Sequence, residues 1–333
     1  MRRRLRRARE ESYAPKGFDL AGRHNVRFFR RFRRFHGGHL KVHDYYDHVA
    51  ASAGHVPIVT FTADSVFDAT NPWTGEETTH IDPPDPDVLF FAGRDWSRAR
   101  DEYLRDGDTP VINLIQHLRH TEPSTDLYGF LDRRAIRICV GPELGEAVVA
   151  TGRARGPVIV IPDGIDTHGI EARHRSEQRS VDLLVVATKR PEWGRRLSER
   201  LSVEGRRTEI LSTLVPRTEF LAAIGRARVA AFLPNETEGF YLPALEAMAL
   251  GTLVVCPDCI GNRSFCLDGT TALRPEYTED ALIDAIERAL DLPDTAYATM
   301  TRAAMSTARD HDLVRERQRF HDVLVSIDDL WRT

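Results

Sequence analysis

The chain has 333 residues, 41% of them hydrophobic and 29% charged, which suffices for two cores of ordinary size; with no run of about 18 apolar residues it excludes a membrane-spanning helix. The opening MRRRLRRAREE is basic but no apolar stretch follows it, so a secretion signal is excluded and a cytoplasmic location is the default. Cys139, Cys256, Cys259 and Cys266 form no disulfide framework in a chain of this length, and Cys256-x-x-Cys259 lacks the second pair a zinc site requires, so all four read as small buried thiols.

The net charge of −4 conceals an asymmetry: residues 1–34 hold twelve arginines and Lys16 against Glu10, Glu11 and Asp19, a local +10 that leaves −14 for the remainder. Residues 1–35 therefore read as a basic N-terminal arm. Interleaved with Phe28, Phe29, Phe32 and Phe35, it suits an anionic membrane surface, which would place the protein peripherally on the inner face of a membrane; no specific nucleic acid is implied. The competing reading is a solvated terminus whose phenylalanines cap the first core.

From residue 56 onward, short β-branched apolar runs alternate with helical periodicity, the pattern of parallel sheets with crossover helices. Strands are expected at 56–62, 87–93, 110–116, 135–141 and 156–162, with helices at 39–54 and 142–152 and a long loop at 71–86. Asp85 and Asp87 in that loop precede a strand, so they are read as loop and not as a D-x-D metal motif. A second series places strands at 180–188, 207–213, 229–235, 252–258 and 271–275 and helices at 194–203, 217–227, 242–250 and 278–290. The turn-rich, polar stretch 161–180 separates the series, giving domains at 36–162 and 163–310 and a C-terminal helix, 311–333, returning to the first domain.

Ligands of open parallel sheets bind beyond the carboxyl ends of the strands, which directs attention to the loop after 229–235. ETEGFYLPALEAMALG (236–251) puts Glu238 before a helix opened by Pro243 and closed by Gly251, and Glu246 in its first turn. Free amides from Gly239 to Leu242 would form an anion site, and two carboxylates would accept hydroxyl hydrogen bonds, a combination that fits a phosphorylated sugar.

This stretch resembles the E-x7-E signature of retaining GT-B glycosyltransferases, family 4, and VIPDGID (160–166) is similar to that family's domain linker. The resemblance implies an α/β GT-B fold, two doubly wound Rossmann-like domains facing a central cleft. It implies that Glu246 binds the ribose of a nucleoside-diphosphate sugar, that Glu238 contacts the donor sugar, and that the amides of Gly239, Phe240, Tyr241 and Leu242 hold sugar and pyrophosphate. Lys189 and Arg195, with Arg190 as a rival, correspond to the basic pair that neutralises the leaving diphosphate. His117 resembles the histidine near the reacting sugar, with His120 competing. HGGH (36–39) resembles the glycine-rich first loop, with Gly37 and Gly38 allowing close backbone approach. Tyr241, where a small residue is usual, would narrow the sugar pocket or add a hydroxyl contact, and GNRSFCLDG (261–269) departs from the family's pattern.

The implied reaction is sugar transfer to the hydroxyl of a glycan, lipid-linked or small-molecule acceptor with retention of anomeric configuration, using no metal and no cofactor beyond the nucleotide-sugar co-substrate. The alternatives are a GT-B nucleotide-sugar epimerase and a catalytically silent GT-B adapter.

Overall fold

The computed structural model describes residues 10–34, 37–68, 70–73, 78–98, 103, 107–176, 178–201 and 205–333. The chain forms two compact units. Of the described residues, the first comprises those up to Val140, Leu144–Ile161 and Arg317–Thr333, and the second comprises Gly141–Glu143 and Pro162–Glu316.

The first unit is built on eight strands: β1 (Glu11–Pro15), β2 (His24–Arg30), β3 (His55–Phe61), β4 (Thr78–Ile81), β5 (Val88–Ala92), β6 (Val111–Ile115), β7 (Ile136–Cys139) and β8 (Val158–Val160). They are ordered β4-β1-β3-β2-β5-β6-β7-β8. β1 runs antiparallel to β3 and β4, while β3, β2 and β5 to β8 are mutually parallel. Consecutive side chains of a strand face opposite sides of the sheet. Phe28 accordingly stacks on Phe90 at 4.5 Å on one face, beside Tyr45 of the helix Gly37–Ala50, while Phe29 joins Leu89, Phe91, Trp96 and Val111 on the other. Phe320, from the last part of the helix Leu313–Val325, packs 4.8 Å from Tyr45, and His321 meets the His48 carbonyl at 2.7 Å, which ties residues from 317 onward into this unit.

The basic arm expected over 1–35 is not an arm across its described part. Residues 11–15 and 24–30 are sheet strands, β2 lies near the middle of the sheet, and Phe28, Phe29 and Phe32 are core residues. The charge on β2 is absorbed inside the fold. Arg27 donates to the Pro84 carbonyl, and Arg30 reaches Asp95 at 2.6 Å and His39 Nδ1 at 2.7 Å. Buried guanidinium groups are tolerated when matched in this way. Arg31 and Arg33 share Asp64 at the surface. Phe35, His36 and residues 1–9 lie outside the described residues. The expected loop 71–86 contains β4, paired with β1 from Ser12 opposite Ile81 to Pro15 opposite Thr78; residues 74–77 lie outside the described residues. Asp87 accepts the Asn25 N–H at 2.7 Å, so the Asp85/Asp87 stretch fastens the start of β2.

The second unit is a parallel sheet of β9 (Val181–Val186), β10 (Thr208–Leu211), β11 (Ala227–Phe232) and β12 (Leu253–Val255), ordered β10-β9-β11-β12. Its central strands are buried on both faces, as crossover helices require, and so read as unbroken apolar runs. Leu184, Val186, Ala230 and Phe232 pack with Leu245 and Met248; Leu183, Val185, Val229 and Ala231 pack with Leu197, Leu282 and Ile286. At 271–275 no strand forms among the described residues, only the isolated pairing of Leu273 with Val255 and of Ala272 with Asp268. No helix of the described residues is long and apolar enough to cross a membrane.

Candidate functional site

β9 and β11 are parallel neighbours, with Val186 opposite Phe232, so the loops that follow them leave from the same edge of the sheet, at its carboxyl end. Residues 187–190 lead into the helix Pro191–Arg200, and residues 233–241 into the helix Leu242–Ala249.

Glu238 is folded back into its own loop. Its Oε1 accepts the Asn235 N–H at 3.1 Å and the Lys189 ammonium at 2.5 Å, and that ammonium also lies 5.6 Å from the centre of the Tyr241 ring. Arg190 reaches Glu236 at 3.4 Å and lies over Tyr277, whose hydroxyl donates to the Pro234 carbonyl. Arg195 is placed differently. It sits on the exposed face of its helix between Glu192 at 3.3 Å and Glu199 at 2.8 Å, and the hydrogen bond to Glu199 is the leading cause that raises its pKa. The basic residues that the structure brings to the Glu238 loop are thus Lys189 and Arg190, and Arg195 is not among them.

Glu246 is not in the first helical turn: the helix starts at Leu242, Pro243 is its second residue, and Glu246 its fifth. It is 1% exposed on a helix whose other residues from Ala244 to Ala249 are apolar and buried. Such a carboxylate needs a cation, and Arg217 supplies it at 2.6 Å. Arg217 was not singled out in the sequence, although a signal exists. It is the first residue of the helix Arg217–Gly225, where the macrodipole disfavours a cation unless a carboxylate accompanies it. Beyond Leu250, Gly251 turns the chain at φ 66°, and Arg179 binds the Leu250 carbonyl at 2.6 Å.

The row of four amides expected from Gly239 to Leu242 is reduced by one, because the Tyr241 N–H donates to the Gly261 carbonyl at 3.0 Å. The Tyr241 ring points inward, 3% exposed and edge-on to Phe232 at 5.9 Å, so it fills the core instead of narrowing a pocket; burial drives its hydroxyl pKa well up.

Residues 145–291 match the family model described as glycosyl transferases group 1. The chain is 27% identical over 242 residues to the D-inositol 3-phosphate glycosyltransferase of Mycolicibacterium paratuberculosis (strain ATCC BAA-968 / K-10), an alignment covering 68% of this chain and 53% of that protein. The chain thus spans about half the length of the curated relative it matches. In structure it is similar to sucrose-phosphate synthase from Thermosynechococcus elongatus (TM-score 0.68, 12% identity, 92% of this chain and 100% of the other). It is also similar to a UDP-forming alpha,alpha-trehalose-phosphate synthase from Burkholderia xenovorans (TM-score 0.63, 12% identity, 92% and 99%). The fold is GT-B.

In the first unit of this GT-B chain, Gly37 and Gly38 open the helix Gly37–Ala50, the next element after β2, a strand that its arginines hide in the sequence. The Gly38 carbonyl accepts a bond from Gln116 Nε2 at 3.4 Å, and an added side chain at Gly37 would meet nothing within 4 Å. His39 is occupied by Arg30. His117 follows β6 half-buried, its Nδ1 accepting the Arg119 N–H at 3.1 Å to start a short turn. His120 is 2% exposed, and burial, reinforced by His117, Arg137 and Arg119, lowers its pKa to about 4.

The four cysteines are reduced and buried. Cys256 is held up in pKa chiefly by burial and Cys259 chiefly by its bond with Cys256, so both stay neutral thiols. Among the described residues no group of three or more His, Cys, Asp or Glu side chains is arranged to hold a metal ion.

Proposed function

We propose that the chain transfers a glycosyl group from a nucleoside-diphosphate sugar to an acceptor hydroxyl, with retention of configuration. The observation that carries this reading is the convergence of Lys189 on Glu238 at the carboxyl ends of β9 and β11, within a segment matching the group 1 glycosyl transferases. Glu246, aligned by Arg217, would accept the ribose hydroxyls; Glu238 would accept from the donor sugar; and the amides of Gly239, Phe240 and Leu242 would face the sugar and diphosphate.

The acceptor oxygen bonds to the anomeric carbon from the face that the diphosphate leaves. The breaking bond's electron pair passes to the diphosphate, and the acceptor's proton moves to the departing phosphate oxygen. The barrier is then governed by negative charge growing on the leaving group. Lys189, whose side chain is 40% exposed, and Arg190 would meet that charge, so the scheme needs no metal ion. Gly37, Gly38 and His117, at the carboxyl ends of β2 and β6, would serve donor and acceptor on the first unit. The acceptor is a hydroxyl of a glycan, a lipid-linked precursor or a small polyol.

The test is a donor screen reading released nucleotide with UDP-, GDP- and dTDP-sugars, with inositol phosphates among the acceptors because the relative in Mycolicibacterium is named for one. Acceptor-dependent release and an α-linked product from an α-linked donor are expected. Isomerised donor without acceptor would replace the proposal with epimerisation, and absence of nucleotide binding by calorimetry would replace it with an adapter role.

A further inference from the structure

The segment CPDCIGNRSFC, residues 256–266, has no assigned role, yet its backbone is fitted to the Glu238 loop. Ile260 is the one described non-glycine residue with left-handed backbone, at φ 63°, a region that β-branched side chains avoid. It forms the middle of a three-residue turn closed by the Gly261 N–H donating to the Cys259 carbonyl at 2.7 Å. Glu238 and Ile260 pair as an isolated parallel bridge, and the Gly261 carbonyl takes the Tyr241 N–H. A Cβ at residue 261 would lie 2.7 Å from the Glu238 carbonyl oxygen, from the Gly239 carbonyl carbon and from the Phe240 nitrogen, so only glycine allows this approach.

Asn262 holds the turn from behind. Fully buried, it accepts the Cys259 N–H at 3.3 Å through Oδ1 and donates through Nδ2 to the Pro257 carbonyl at 2.9 Å and to Cys256 Sγ at 3.3 Å. Strained backbone persists only where its surroundings over-determine it, and these three bonds do so. We propose that Asn262 and Gly261 are positioning residues for the donor site: Asn262 locks the turn, and Gly261 lets the turn seat directly against residues 238–240. The turn thereby sets the direction of the Glu238 carboxylate and of the Gly239 and Phe240 amides. The inference rests on the Glu238 loop being the donor site.

The experiment compares wild type with Asn262→Ala and Asn262→Ser, the latter keeping one short uncharged hydroxyl that can still accept or donate. Hydrogen exchange over residues 235–245 needs no donor molecule. At least tenfold faster exchange there is expected in Asn262→Ala, with smaller acceleration in Asn262→Ser and unchanged exchange over residues 279–290. With the active donor, kcat of Asn262→Ala is expected to fall at least tenfold while acceptor KM stays within threefold, Asn262→Ser falling between. Unchanged exchange overturns the mechanical coupling, and faster exchange with unchanged kcat overturns the positioning role. A wild type inactive on every donor sinks the glycosyl-transfer reading instead, and the exchange result still stands. If Asn262→Ala gives no cooperative melt, Asn262→Ser carries both measurements.

Discussion

Arg217 closes on Glu246 at 2.6 Å, and the carboxylate it meets is all but sealed from solvent on an apolar helix. Removing the cation breaks a buried ion pair, a change that typically costs about 3–5 kcal/mol. Because the Arg217 side chain is 35% exposed, water can enter when it is truncated, and about 2–3 kcal/mol is expected for Arg217→Ala in urea unfolding. The double variant Arg217→Met/Glu246→Met should recover most of that loss. A loss under about 0.5 kcal/mol, the range of ordinary surface substitutions, would show that the pair does not form. Glu246→Ala should also weaken, at least tenfold, the binding of whichever of UDP, GDP and dTDP the wild type takes up, and unchanged affinity would remove its proposed ribose role.

Lys189 and Arg195 separate sharply by variant. Lys189→Ala removes the charge beside Glu238 and should lower donor turnover by about a hundredfold, equivalent to about 2.7 kcal/mol of transition-state stabilisation. Arg195→Ala, which breaks only exposed pairs along its own helix, should leave turnover within threefold, and Arg190→Ala should fall between. Steady-state release of nucleotide at saturating donor reads all three. Equal losses in Lys189→Ala and Arg195→Ala would return Arg195 to the leaving-group site.

The second unit was legible because its central strands are buried on both faces and its helix boundaries carry proline and glycine signals at Pro243 and Gly251. The Glu238 loop and the helix after it were legible from the same signals, but the helix starts at Leu242, one residue before Pro243, which moves Glu246 out of the first turn. β2 was not, since the charge of Arg30 is answered by Asp95, 65 residues away, and no local pattern reveals that match. The Arg195 placement was in fact readable. Glutamates three residues before and four after an arginine on a helix form side-chain pairs along its surface, and that spacing outweighs a loosely matching basic motif. The turn at Ile260 could not be read, because nothing in CIGN announces a left-handed isoleucine.

Asp95 binds Arg30 at 2.6 Å, Arg98 at 2.8 Å and the Ala92 N–H at 2.9 Å, and is 1% exposed. Asp95→Ala should therefore cost about 3–5 kcal/mol, as breaking a buried pair does, and Asp95→Asn, which still accepts hydrogen bonds, should cost less. Alanine at Asp64, which meets Arg31 and Arg33 at the solvent-screened surface, should be far milder. Chemical denaturation of the three variants distinguishes a central strand from a basic arm: if Asp95→Ala were as mild as Asp64→Ala, residues 24–30 would not be held in the sheet.

His120 gives the first unit a built-in acid sensitivity. Burial lowers its pKa to about 4 in the folded protein, against about 6.5 in an unfolded chain. As pH falls through that interval the unfolded chain takes up the proton first, so stability that is fully present above about pH 6.5 is lost progressively toward pH 4. The complete loss attributable to this one residue is about 3 kcal/mol. His55, also lowered chiefly by burial, adds to the slope in the same direction. Replacing the imidazole by an uncharged amide, His120→Gln, should lower stability at neutral pH through imperfect packing but flatten its decline between about pH 7 and pH 4.5. Urea midpoints measured across that range check the claim. Parallel slopes in wild type and variant would mean that His120 does not titrate between the folded and unfolded values, and that the acid sensitivity belongs to other groups.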